Sequence, residues 1–153
     1  MTARLADVKV LLVDDDPDVL EAMDAAMKTE GAVTRTVADG NEAVGACQEF
    51  TPDLVVLDMM LPKRSGFLVL EKIKGYDRCP AVIMLTANEG KRHQAYAESL
   101  GVDRYMFKPV PLERLLAVSS ELVAARAGKQ AETVHEDAPA PAKKASTRKP
   151  RET

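Results

Sequence analysis

Five short runs of apolar and β-branched residues, at 8–13, 32–38, 53–58, 81–86 and 102–107, recur along the chain, and a stretch of helical periodicity follows each. Strands separated by helices cannot pair as hairpins; each must return through its helix and lie parallel to its neighbours, with both faces of the sheet covered. Val10-Leu11-Leu12-Val13 and Leu54-Val55-Val56-Leu57 show no polar alternation, as befits strands buried on both sides. The pattern predicts an α/β domain with a doubly wound, five-stranded parallel sheet.

The intervening segments fit that plan. Val19, Leu20, Met23 and Met27 recur at helical spacing over 17–30, and Gly31 stands where a C-terminal glycine cap belongs. Asp39-Gly40-Asn41 turns into a helix with Ala43, Val44, Cys47 and Phe50 on one side, stopped by Pro52. The stretch 66–74 is a short helix burying Phe67, Leu70 and Ile73; a polar helix over 89–100 stops at Gly101. The last helix, 111–127, carries Leu112, Leu115, Leu116, Leu122 and Val123, and its further apolar residues Val118, Ala124 and Ala125 point to a partner or dimer contact.

Composition narrows the classes. The chain is 46% hydrophobic but only 4% aromatic with no Trp, so its core is aliphatic and an aromatic base-stacking platform is not expected. Cys47 and Cys79 have no C-x-x-C spacing, which argues against a disulfide framework or a zinc site and suits a reducing, cytoplasmic setting. No apolar run has the length of a membrane span, and the N-terminus does not read as a signal peptide. From Gly128 onward the residues are mainly Ala, Pro, Lys, Glu, Ser and Thr, with six Lys or Arg against four acids in a chain of net charge -3. The expectation is a domain over 1–127 and a disordered tail over 128–153.

In doubly wound folds, ligands bind outside the C-terminal ends of the strands. The first run ends in Asp14-Asp15-Asp16, the third in Asp58, the fourth in Thr86 and the fifth at Lys108. The acidic triplet before Pro17 has two readings: half of a divalent-cation site, or an acidic turn that caps the next helix. Carboxylates at two strand ends with no His or Cys nearby suit a hard cation such as Mg²⁺. A lysine and a threonine hydroxyl suit phosphoryl oxygens, and a carboxylate beside them can attack phosphorus to give an aspartyl phosphate.

The segments VLLVDDD, LVVLDMMLP, VIMLTA and YMFKP, in that order, resemble the receiver domain of two-component response regulators over about 8–127. The resemblance implies a flavodoxin-like (β/α)5 sheet of order 2-1-3-4-5. It makes Asp58 the phosphoacceptor, assigns Asp14, Asp15, Asp58 and the main-chain carbonyl of Met60 to Mg²⁺, and leaves Asp16 as a helix cap. Thr86 and Lys108 would contact the phosphoryl group, Thr86 and Tyr105 would form the switch, and Lys108-Pro109 would be cis. The output face would expose Lys91, Arg92, Gln94, Glu98, Arg104 and Glu113.

The function so implied is a stand-alone signalling switch. It would take a phosphoryl group from a sensor histidine kinase or phosphotransfer protein, contact a downstream target or a second copy, and turn over no external metabolite. The tail has no helix-turn-helix pattern, so no DNA-binding output domain is expected, and its basic end, 143–151, reads as a tether rather than a nucleic-acid segment. Two alternatives stand beside this. A haloacid-dehalogenase-type phosphatase would account for Asp14-x-Asp16, although Asp18 does not fit its motif and the chain has no room for a substrate cap. A non-phosphorylated interaction module would keep the fold alone.

Overall fold

The computed structural model describes residues 3–87 and 91–136, the side chains of 128–136 excepted. Five strands, β1 (Lys9–Val13), β2 (Val33–Val37), β3 (Leu54–Asp58), β4 (Ala81–Thr86) and β5 (Arg104–Phe107), alternate with five helices. These are α1 (Pro17–Thr29), α2 (Gly40–Phe50), α3 (Gly66–Lys74), α4 (Lys91–Ser99) and α5 (Leu112–Glu136). All strand pairs are parallel and the sheet order is β2-β1-β3-β4-β5, as the resemblance implied.

Alternate residues of the central strands feed two cores. Val10, Leu12, Leu54, Val56, Ile83 and Leu85 pack with Met23 and Met27 of α1 and Leu115 and Leu116 of α5. Leu11, Val13, Val55, Leu57, Val82 and Met84 face the other way, onto Ala43 and Cys47 of α2, Leu70 and Ile73 of α3 and Ala97 of α4. Strands β1, β3 and β4 are therefore nearly or wholly buried, whereas the edges β2 and β5 are half exposed.

Several elements differ from the sequence reading at their ends, for local reasons. Gly31 and Gly101, at φ 89° and 97°, close α1 and α4. In each case the next residue's N–H turns back to the helix, Ala32 to Met27 and Val102 to Ala97, and is lost to the following strand. Asp53 and Asp103 precede their strands because their carboxylates take the N–H groups of Lys9 and Val82. Asp103 also holds Lys74 at 2.7 Å.

Val118 is 1% exposed and belongs to the core, so it offers no dimer face, while Leu112 is 38% exposed. Helix α5 runs past the expected stop at Ala127 to Glu136. Gly128 is the weakest helix former there before Pro139, and a single interior glycine costs only about 1 kcal/mol. By contacts the chain divides at Val123, and residues 124–136 are the helical part of the second unit. The tail from 137 on lies outside the described residues, as do Glu89 and Gly90, expected to begin α4.

Candidate functional site

The sheet register assembles the site. Val13 pairs with Leu57, so the next residues, Asp14 and Asp58, emerge side by side from β1 and β3. Asp58 pairs with Leu85 and Thr86 with Phe107, which sets Thr86 one step beyond Asp58, and Lys108 one step beyond Thr86. Both carboxylates are nearly enclosed, Asp14 at 1% and Asp58 at 5% exposure, while Asp15 is exposed. One carboxylate oxygen from each of Asp14, Asp15 and Asp58 lies within 4.8 Å of the others.

Lys108 binds this cluster as its cation. Its ammonium donates to Asp14 Oδ2 at 2.7 Å and stands 3.4 Å from Asp58 Oδ1. Burial alone lowers the lysine pKa, but the Asp14 hydrogen bond and the Asp58 charge outweigh it and the net shift is upward. Asp58 is also shifted: burial and then the Asp14 charge raise its pKa from 3.8 to about 6, against the opposing pull of Lys108. One lysine does not neutralise two buried carboxylates. The excess negative charge, on oxygens alone, is what a divalent hard cation would relieve, and the donor set fits Mg²⁺.

Local structure holds these groups in place. Asp14 Oδ1 accepts the N–H of Asp16, and the Asp16 carboxylate caps α1 by accepting from Asp18 and Val19, the role expected of it. The capping reading of the acidic triplet thus applies to Asp16, while Asp14 and Asp15 face the carboxylate cluster with Asp58. Met60 donates its N–H to Asp58 Oδ1 at 3.5 Å and leaves its side chain 68% exposed. Lys108-Pro109 is cis.

Thr86 is fully buried, and its side chain hydrogen-bonds with Tyr105. The Tyr105 hydroxyl also donates to Met59 Sδ at 3.7 Å, and its ring meets Phe107 edge-on. The structure therefore groups Asp14, Asp15, Asp58 and Lys108 directly, with Thr86 and Tyr105 as a linked pair alongside.

Two contributors were not read from the sequence. Gly66 opens α3 so close to β3 that a Cβ there would lie 2.5 Å from the Asp58 carbonyl and 2.7 Å from Met59 Cα. Gly40 meets Arg64 in the same manner at the start of α2. Their signal was a glycine at a helix start, not at a helix end, where glycine is more usual.

The family profile of the response regulator receiver domain matches residues 10–119. This chain belongs to that family. The receiver is 37% identical over 109 residues to the probable transcriptional regulatory protein TcrX of Mycobacterium tuberculosis, covering 71% of this chain and 47% of that protein. It thus spans about half the length of such relatives.

Among solved structures, the CheY-like receiver domain protein from Methanospirillum hungatei superposes with a TM-score of 0.78 at 24% identity, covering 81% of this chain and 99% of that one. The receiver domain of the sensor histidine kinase PA1611 from Pseudomonas aeruginosa matches with a TM-score of 0.71 at 26% identity, covering 78% and 99%; its structure holds a magnesium ion in the active site cleft. Receiver domains generally bind Mg²⁺ in an acidic site and work with histidine kinases and downstream targets. No helix among the described residues is long and apolar enough to cross a membrane.

Proposed function

We propose that this receiver is a phosphorylation switch whose acceptor is Asp58. The observation that carries the reading is a nearly buried carboxylate, flanked by a second buried carboxylate and 3.4 Å from a lysine ammonium, at the C-terminal end of the central strand. An Asp58 carboxylate oxygen attacks the phosphorus of a phosphohistidine. The new O–P bond forms as the P–N bond breaks, and the imidazole nitrogen leaves with the electron pair. Asp14, Asp15 and Asp58, with the Met60 carbonyl, would hold Mg²⁺, which supplies charge neutralisation for the incoming phosphoryl oxygens.

Lys108 is already placed between Asp14 and Asp58, so a phosphoryl group on Asp58 gives its ammonium a new anionic partner. The Thr86 hydroxyl, one step along the neighbouring strand, is the donor for a second oxygen. Drawing Thr86 toward that oxygen breaks its link to Tyr105 and carries the change to β5. The reaction modifies the protein itself and consumes no external metabolite. This reading puts the chain in the cytoplasm with a sensor kinase or phosphotransfer protein as donor, and leaves the downstream partner to protein contacts.

The test is intact mass after incubation with acetyl phosphate and Mg²⁺, for the wild type and for Asp58→Asn. One added phosphoryl group that requires Mg²⁺ and is missing from the variant is expected. An unlabelled wild type, or a label that survives in Asp58→Asn, overturns the assignment.

A further inference from the structure

The charge of this domain is unevenly placed. Residues 60–74 and 91–96 hold Lys63, Arg64, Lys72, Lys74, Lys91 and Arg92 against the single acid Glu71, leaving nine Lys or Arg against nineteen Asp or Glu for the rest of 1–127. The two segments meet in space: Phe67 of α3 stacks on His93 and meets Tyr96 of α4 edge-on, with centroids 5.9 and 5.0 Å apart. An otherwise acidic domain thus has one basic edge.

Intramolecular pairing does not account for it. Of the six, Lys63 and Lys74 hold Asp39 and Asp103, but among the described residues Arg64, Lys72, Lys91 and Arg92 have no ion-pair partner, so four of the six cations stand uncompensated side by side. Helix energetics account for only part of it. Lys72 and Lys74 lie in the last turn of α3, where cations suit the helix dipole, whereas Lys91 and Arg92 open the described part of α4 with no acid among the described residues of that turn.

Apolar groups lie among these cations. Leu68 and Lys72 stand one turn apart on α3, Arg64 lies in the loop just before the helix, and Leu68 is 53% exposed. Beside them runs a groove of about 460 Å³, also lined by Glu71, Gly75 and Tyr76. Tyr96 on α4 is 49% exposed.

We propose that this α3–α4 edge is a docking surface for an acidic, amphipathic segment of a partner protein, whose apolar side chains cover Leu68 and enter the groove while its carboxylates meet Arg64, Lys72, Lys91 and Arg92. Charge complementarity selects the acidic partner. An exposed leucine between two cations selects a peptide over a nucleic acid, because a phosphodiester backbone has nothing to bury against it. The proposal concerns the unmodified domain and stands whether or not Asp58 accepts a phosphoryl group.

The experiment is an amide chemical-shift titration of the full chain with a helical peptide of about four turns, bearing a leucine stripe flanked by glutamates. A matched peptide with glutamine for glutamate and a short DNA duplex are titrated in parallel. Saturable binding that shifts α3 and α4 amides is expected, weakened about tenfold by Arg64→Glu with Lys72→Glu and also by Leu68→Ser, but within about twofold of wild type for Arg114→Glu on α5. All these positions are on the surface, and retained dispersion of the spectra shows that each variant is folded. Equal binding of the glutamine peptide, equal loss in Arg114→Glu, no saturable binding, or binding of the duplex in place of the peptide overturns the proposal.

Discussion

Replacing Asp58 with Asn should stabilise the metal-free protein, and the size of the effect follows from the geometry. The rise in the Asp58 pKa from 3.8 to about 6 means that the folded state binds this proton more tightly than the unfolded chain does. Below about pH 4 the group is protonated in both states and costs nothing. Between pH 4 and 6 the unfolded chain releases the proton first, so stability falls as pH rises, and above pH 6 the whole penalty is present.

At about 1.4 kcal/mol per pH unit the ceiling is about 3 kcal/mol, and solvent screening at the mouth of the site brings the expectation to about 1–2 kcal/mol. Asparagine keeps the shape and removes the charge. Urea denaturation in EDTA at pH 8 should therefore show Asp58→Asn more stable than wild type by that amount, with the difference closing toward pH 4. Added Mg²⁺ should raise the wild type more than the variant, because the cation offsets a charge that the variant lacks. A variant less stable than wild type at pH 8 in EDTA would refute the reasoning, since it would mean that Asp58 is a net stabilising partner of Lys108.

Three further changes test the supports of the site. Lys108→Ala leaves Asp14, 1% exposed, without its cation and should destabilise the metal-free protein by about 2 kcal/mol in the same denaturation assay, with Mg²⁺ restoring part of the loss. Gly66→Ala puts a methyl group against backbone atoms that cannot rotate away. It should cost about 1–3 kcal/mol and slow acetyl phosphate labelling by shifting the loop after Asp58. Asp16→Ala removes the cap of α1 for about 1 kcal/mol by thermal melting, and labelling measured by mass should be unchanged.

Much of the site was legible in the order of residues. Asp14, Asp58, Thr86 and Lys108 each follow an apolar strand, and in a parallel sheet every strand leaves at the same rim. The same logic marked Asp16 as a cap and Gly31 as a helix stop, since both roles need only neighbours within one turn of the chain. Boundaries were read less well wherever a backbone N–H had two bidders. Ala32 and Val102 looked like strand residues because they are apolar and β-branched or next to such residues, yet their N–H groups close the preceding helices.

Val118 shows the limit from the other side. On a helical wheel it extends the apolar face of α5, but only packing decides that this width is covered by the sheet and α1. Gly66 shows it again, because its absent side chain makes room for β3, a contact that no local pattern announces. The basic edge of α3 and α4 was present in the composition, but it was dispersed through a chain of net charge -3.

Strand period, helix caps and the polar residue closing each strand act through neighbours in the chain, so the sequence already contained the parallel α/β sheet and its rim. The ion pair between Lys108 and Asp14, the pKa of Asp58 and the meeting of α3 with α4 depend on distances between segments far apart in the chain and on the exclusion of water. Those were decided only when the sheet register and the two cores came together.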